Sequence, residues 1–167
     1  MPSGNKMRIR LVTVLVLAAA LAGPAYQAQA QNGWVTSYHH SSHIAASRLM
    51  LRARAGDVRA QARLCFMFQA GLGVVQSFAI AADYCHTAAA QGDPNAQYLL
   101  GLMYDKGQGV GRDVVLAYVW LNLAAAGGAP SVRPAYARIR DAVATKMTPA
   151  QLQYGQALAA TRAGLHY

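Results

Sequence analysis

The sequence predicts an all-α solenoid of antiparallel helix hairpins, with two full repeats and partial capping helices at the N- and C-terminal ends. Residues 56–92 recur at 92–128, a shift of 36 positions. Gly56-Asp57 meets Gly92-Asp93, Ala60-Gln61 meets Ala96-Gln97, Leu64 meets Leu100, and Gly71-Leu72-Gly73-Val74 meets Gly107-Gln108-Gly109-Val110. Inside each unit apolar residues return at three- and four-residue spacing, the period of a helix buried on one face. A fixed period of a few tens of residues marks a stack in which each unit buries its apolar face only against its neighbours.

Taken in order, Lys6, Arg8 and Arg10 precede Leu11–Ala22, an apolar run broken only by Thr13. Gly23-Pro24 ends the run, and Ala28-Gln29-Ala30 offers a small-x-small cleavage site. About 12 apolar residues fall short of the roughly 20 needed to span a bilayer. Residues 1–30 are therefore expected to be a secretory signal peptide, with Met7 as an alternative start and an uncleaved anchor as the competing reading. No Cys follows the cleavage site, which argues against a lipid anchor. Residues 31–42 read as a flexible leader and 43–167 as one helical repeat domain with a core of its own.

A helix is expected from His43, with Ile44, Leu49 and Leu51 on its apolar side and its end near Gly56. Ala53-Arg54-Ala55-Gly56 parallels Ala89-Ala90-Gln91-Gly92, so this helix is the second half of a degenerate repeat that caps the N-terminal end. The full repeats run from about 56–91 and 92–127. In the second, Asp93 is an N-cap and Pro94 takes the first helical position, where its missing N–H costs nothing. Leu99, Leu100, Met103 and Tyr104 follow, and Gly107-Gln108-Gly109 stops the helix. Asp113 caps the next helix, which carries Leu116, Ala117, Trp120, Leu121 and Ala124; Ser77 is the matching cap in the first repeat. The C-terminal cap, 128–167, contains two further helices. Val132, Tyr136, Ile139 and Val143 mark one, with Pro134 tolerable only in its first turn. Thr148-Pro149-Ala150-Gln151 starts the other, whose apolar face of Leu152 and Leu158 is weakened by Gly155.

These strings resemble the Sel-1-like repeat family, a tetratricopeptide-like group with a slightly longer unit. Ala96 with Leu100-Gly101-Leu102-Met103-Tyr104 is similar to the family's first helix. Gly107-Gln108-Gly109-Val110 and Asp113 are similar to its turn, and Ala117, Trp120 and Ala124-Ala125-Ala126 to its second helix. Lys146-Met147-Thr148-Pro149-Ala150-Gln151 resembles a common ending of bacterial members. The first repeat departs where Cys65 replaces the close-packing glycine, Gly101 of the second. The resemblance implies a superhelix and a non-catalytic protein-binding role, in some exported members the regulation of envelope signalling. A cysteine-rich branch linked to β-lactam hydrolysis makes a β-lactam or cell-wall hydrolase the alternative.

Small Ala81, Ala117 and Gly101 allow close helix approach, and Tyr84 and Trp120 fill the gaps. A partner surface must then come from the other face of each first helix. Helical spacing places Arg59, Ala62, Phe66 and Gln69 there in the first repeat, and Asn95, Tyr98, Leu102 and Asp105 in the second. Apolar residues exposed on such a face suit a peptide-binding groove. Burial of Phe66 and Leu102 under a capping helix is the alternative. Arg48, Arg52, Arg59 and Arg63, at spacings of four and seven, form a basic stripe for acidic partners or an anionic envelope surface, unless they are simply solvated.

The chain holds 15 Lys and Arg against 6 acids, all Asp, for a net charge of +9. Without the three basic residues of 1–30 the balance is about +6, which favours acidic or anionic partners. Export and the lack of a recognisable motif argue against nucleic acid. Cys65 and Cys85, the only cysteines, fall at similar heights on opposite arms of one hairpin. Export allows a disulfide there, contributing roughly 3 kcal/mol through the unfolded state; two buried thiols are the alternative. His39, His40 and His43 cluster near the mature N-terminus without an acid or thiol nearby, so an incidental polar tract is favoured over a metal site. His86 is read as a surface or packing residue. Ser3-Gly4-Asn5-Lys6 matches a Ser-x-x-Lys motif but lies in the signal peptide. The absence of Glu and the placement of Asp at caps and turns leave no acid–base pair. Gly107–Gly111 lacks the strand and the Lys-Ser/Thr of a phosphate loop. No enzyme activity, cofactor or metal is expected, and the domain is expected to be a monomer, periplasmic or secreted, with a protein partner. Protein exported by its native cells should begin near Gln31 on N-terminal sequencing; exported material that begins at Met1 or Met7 would overturn the signal peptide.

Overall fold

A computed structural model describes residues 45–164. The expectations for the signal peptide, the leader and His39, His40 and His43 lie outside these residues. The described residues form helices without a strand: α1 (45–54), α2 (Val58–Ala70), α3 (Phe78–Ala90), α4 (Pro94–Lys106), α5 (Val114–Gly127), α6 (Arg133–Ala144) and α7 (Pro149–Gly164). Helices α2 and α3 form one hairpin and α4 and α5 the next; α3 packs on α4, α2 touches α4, and α6 and α7 both pack on α5. This is a helical-repeat solenoid.

The starts follow from the capping residues. The side chains of Asp57, Ser77, Asp93 and Asp113 accept from backbone N–H groups of the first turns of α2, α3, α4 and α5. At α7, Thr148 Oγ1 accepts from Gln151 N while Gln151 Oε1 accepts from Thr148 N at 2.9 Å, the reciprocal box that the sequence implied. Helices α2 and α4 end at Gly71 and Gly107, with φ of 70° and 71°. Any side chain would be strained at these two positions.

The two hairpins close the same seam differently. In the second, a Cβ on Gly101 would lie 2.7 Å from Leu121 Cγ and 3.1 Å from the Ala117 carbonyl oxygen, so only glycine fits. The equivalent pair in the first hairpin is Cys65 and Cys85, joined by a disulfide with a Cα–Cα separation of 5.0 Å. Leu64, Leu100, Ala81 and Ala117 are fully buried beside these seams.

Two buried amides tie each hairpin to the helix before it. Gln61 Nε2 donates to the Ala53 carbonyl (3.0 Å) and Gln97 Nε2 to the Ala89 carbonyl (3.2 Å), each adding a second bond to an acceptor in the last turn of the preceding helix that also takes a backbone N–H. Gln91 Nε2 donates in turn to Gln61 Oε1 at 2.7 Å.

The C-terminal helices cover the second hairpin. Gly155, a weak point by helix propensity, is buried: a Cβ there would meet Tyr118 Cδ1 at 3.1 Å. It gives α7 its close approach to α5. Trp120, 4% exposed, lies edge-to-face with His86 of α3, and the Arg162 guanidinium of α7 sits over its ring at 4.8 Å. His86 Nε2 lies 3.0 Å from the Tyr104 hydroxyl. His86 is therefore a packing residue that joins α3 to α4 and α5. Burial, with help from the Arg162 charge, pushes its pKa below 6.5 despite the opposing pull of Asp83.

Two tests follow. Gly101→Ala gains about 1 kcal/mol of helix propensity but overpacks the seam, so a net loss of about 1–2 kcal/mol is expected in urea unfolding. In a Leu121→Ala background the same change should be neutral or stabilising, because the new methyl enters the cavity; stabilisation of the wild-type protein by Gly101→Ala would refute the seam. The second test is pH. A histidine whose folded pKa is depressed contributes stability that is complete above pH 6.5 and is lost as pH falls toward the folded value. The melting temperature should drop below pH 6.5 in the wild type, and the drop should be shallower in His86→Gln. Parallel pH profiles would show that His86 is not the group responsible.

Candidate functional site

Helices α2 and α4 lie side by side as the first helices of their hairpins, and α6 closes the C-terminal side. Between them is an open groove of about 660 Å³. One wall is α2, with Arg59, Ala62, Arg63 and Phe66, a set that recurs at three- and four-residue spacing and so shares a face. The other wall comes from the start of α4, with Asp93, Asn95, Tyr98 and Leu99, and Tyr136 of α6 completes it.

The groove has an apolar floor. Phe66 is 48% exposed, a large ring open to solvent on one side. Tyr98 and Tyr136 stack with centroids 4.4 Å apart and planes 15° from parallel. The Tyr136 hydroxyl donates to Asn95 Oδ1 at 2.7 Å, which fixes the stack and occupies the amide oxygen. Burial, then the neighbouring Tyr98 and Asp93, raises the Tyr136 pKa, so its hydroxyl holds its proton across the physiological range.

Polar groups line the rim. Arg59 and Arg63 are exposed, and their side chains make no hydrogen bond or ion pair with the described residues. Asp93 Oδ1 accepts from Ala96 N at 2.8 Å as the cap of α4. Among the described residues no cluster of three or more His, Cys, Asp or Glu suits a metal ion.

The residues expected from the sequence fall into two groups. Arg59, Phe66, Asn95 and Tyr98 come together in the groove, and Arg63 joins them from the basic stripe. Gln69, Leu102 and Asp105 do not line it. The Gln69 carbonyl accepts from Gln76 Nε2, at the turn end of α2. Leu102 is half-buried. Asp105 receives Lys146 Nζ at 2.7 Å, because the end of α6 reaches back to the last turn of α4. The stripe is also interrupted. Arg52 donates to Asp57 Oδ2, and this pairing, second to the Ala60 N–H bond, lowers the Asp57 pKa. Arg48, Arg59 and Arg63 remain exposed. Tyr136 was not legible as a site residue: it stands outside the repeats, so no period pointed to its face. Leu99, read as part of the apolar helix face, was not expected at the groove.

The Sel1 repeat model matches residues 58–93 and 94–128, the same 36-residue period. Among solved structures, a protective antigen present in uropathogenic Escherichia coli strains, displaying an SLR fold, is similar with a TM-score of 0.65 and 28% identity. That match covers 82% of this chain and 31% of the antigen. A Sel1 repeat protein from Oxalobacter formigenes is similar with a TM-score of 0.51 and 37% identity, over 54% of this chain and 26% of its own. The chain thus spans less than a third of the length of either solved protein. No curated protein matches it. Two contiguous Sel1 repeats over residues 58–128, stacked as helix hairpins, give this part of the chain the fold of those solved proteins.

Proposed function

We propose that the chain is a non-enzymatic protein-binding scaffold or regulator of the cell envelope, acting as a periplasmic or secreted monomer, with the groove between α2 and α4 as its contact surface. Sel1 repeats are generally protein–protein interaction scaffolds. The observation that carries the reading here is the groove itself, which holds a half-exposed Phe66 beside a stacked tyrosine pair and two arginines without a partner among the described residues. Exposed aromatic and arginine side chains around a concavity are the residues that dominate binding energy at protein interfaces. The disulfide and the expected signal peptide support an oxidising compartment. Among the described residues no helix is long and apolar enough to cross a membrane.

A photo-crosslinking residue placed at Phe66 in the full chain, expressed in its native cells, should give a discrete adduct with another protein. The same residue at Ile80, which is 43% exposed and away from the groove, serves as the control. An absent adduct at Phe66, or an identical adduct at Ile80, would overturn the groove as the contact surface.

A further inference from the structure

The polar lining of the groove carries two arginines against one carboxylate. Arg59 and Arg63 are one turn apart on α2, adjacent on one face, and neither guanidinium is engaged by a described residue. Asn95 Oδ1 accepts from the Tyr136 hydroxyl, and its amide nitrogen can donate to a ligand. The one carboxylate on the lining, Asp93, already caps α4. The α4 N-terminus beside it adds partial positive charge. Below this rim lies the floor of Phe66, Leu99 and the Tyr98–Tyr136 stack.

We propose that the groove selects an acidic peptide segment in which an apolar side chain is flanked by aspartate or glutamate. The apolar side chain lies on the Phe66 and Tyr98–Tyr136 floor, and the flanking carboxylates pair with Arg59 and Arg63. Charge complementarity carries the choice: two guanidiniums without a partner among the described residues match carboxylates bidentately, and their excess over the single lining carboxylate, Asp93, disfavours a cationic ligand. A concave aromatic floor suits a protruding side chain, whereas a flat anionic bilayer cannot follow it. The volume, about 660 Å³, is that of a ligand site and holds a side chain with its adjoining backbone. This inference rests on the scaffold reading above and specifies its partner.

The test uses the full chain and a pair of short labelled peptides read by fluorescence anisotropy. One peptide has Asp on both sides of Leu-Phe; the other has Asn in place of each Asp. The acidic peptide should bind about tenfold or more tightly than the neutral one, and added salt should narrow the difference. Arg59→Gln with Arg63→Gln should bring the acidic peptide to the level of the neutral one. Phe66→Ala should weaken both peptides. These side chains are exposed, so both variants should keep the wild-type melting temperature. Equal binding of the two peptides would overturn the proposal, as would unchanged selectivity in the double arginine variant. Arginine-dependent binding to phosphatidylglycerol vesicles with no peptide bound would overturn it in favour of an anionic surface. If neither peptide binds while Phe66 still cross-links to a protein, the acidic class falls and the scaffold stands. If cross-linking fails as well, both fall.

Discussion

The separation between the two arms of each hairpin is the constraint on which the rest of the structure depends. A stack of hairpins keeps a regular pitch only if every hairpin has nearly the same thickness. Here one position sets that thickness, and the chain meets the requirement by two unrelated chemistries. Gly101 removes a side chain so that Leu121 can enter. Cys65 and Cys85 retain their side chains and make them one covalent unit. Packing at interior density cannot absorb an unpaired extra methylene there. The substitution of Gly by Cys in the first repeat is tolerable because the facing residue changes with it.

Given that thickness, the buried glutamines orient one hairpin on the next. Gln61 and Gln97 add a second hydrogen bond to carbonyls at the preceding helix ends, which already accept from Gly56 N and Gly92 N, so the attachment links two elements at once. A buried amide bonded at a fixed point is directional, unlike apolar contact, and it holds α2 and α4 in the register that forms the groove. The N-cap aspartates act locally in the same sense. They take three of the six acidic side chains of the chain to helix starts, and Asp105 and Asp141 pair with Lys146 and Arg140, so Arg59 and Arg63 have no carboxylate partner among the described residues.

Local signals and periodic signals were legible in the sequence, and long-range ones were not. The helix starts at Asp93, Asp113 and Thr148 could be read because capping is settled within a few residues. The face carrying Arg59, Phe66, Asn95 and Tyr98 could be read because helical spacing separates it from the core. The loss of Asp105 to Lys146 and the arrival of Tyr136 could not, since both depend on how the cap folds back over α4. Gly155 misled for the same reason. Its propensity is poor, but its value lies in the space it leaves for Tyr118. The contacts of His86 are equally long-range, since Tyr104 and Trp120 both come from the next hairpin.

The Tyr98–Tyr136 stack joins a residue of the second repeat to one beyond the last repeat. Solenoids commonly lengthen by duplicating a unit, and a duplication leaves the interior of the array unchanged. In this chain a new unit inserted after α5 would carry Tyr136 one step along and seat it on the wrong neighbour, away from Asn95 and from the arginines of α2. The groove therefore exists only when these two repeats meet this cap directly. Copy number, usually the freest variable in a repeat protein, is here part of the site, and growth of the array without loss of the groove is possible only at the N-terminal end.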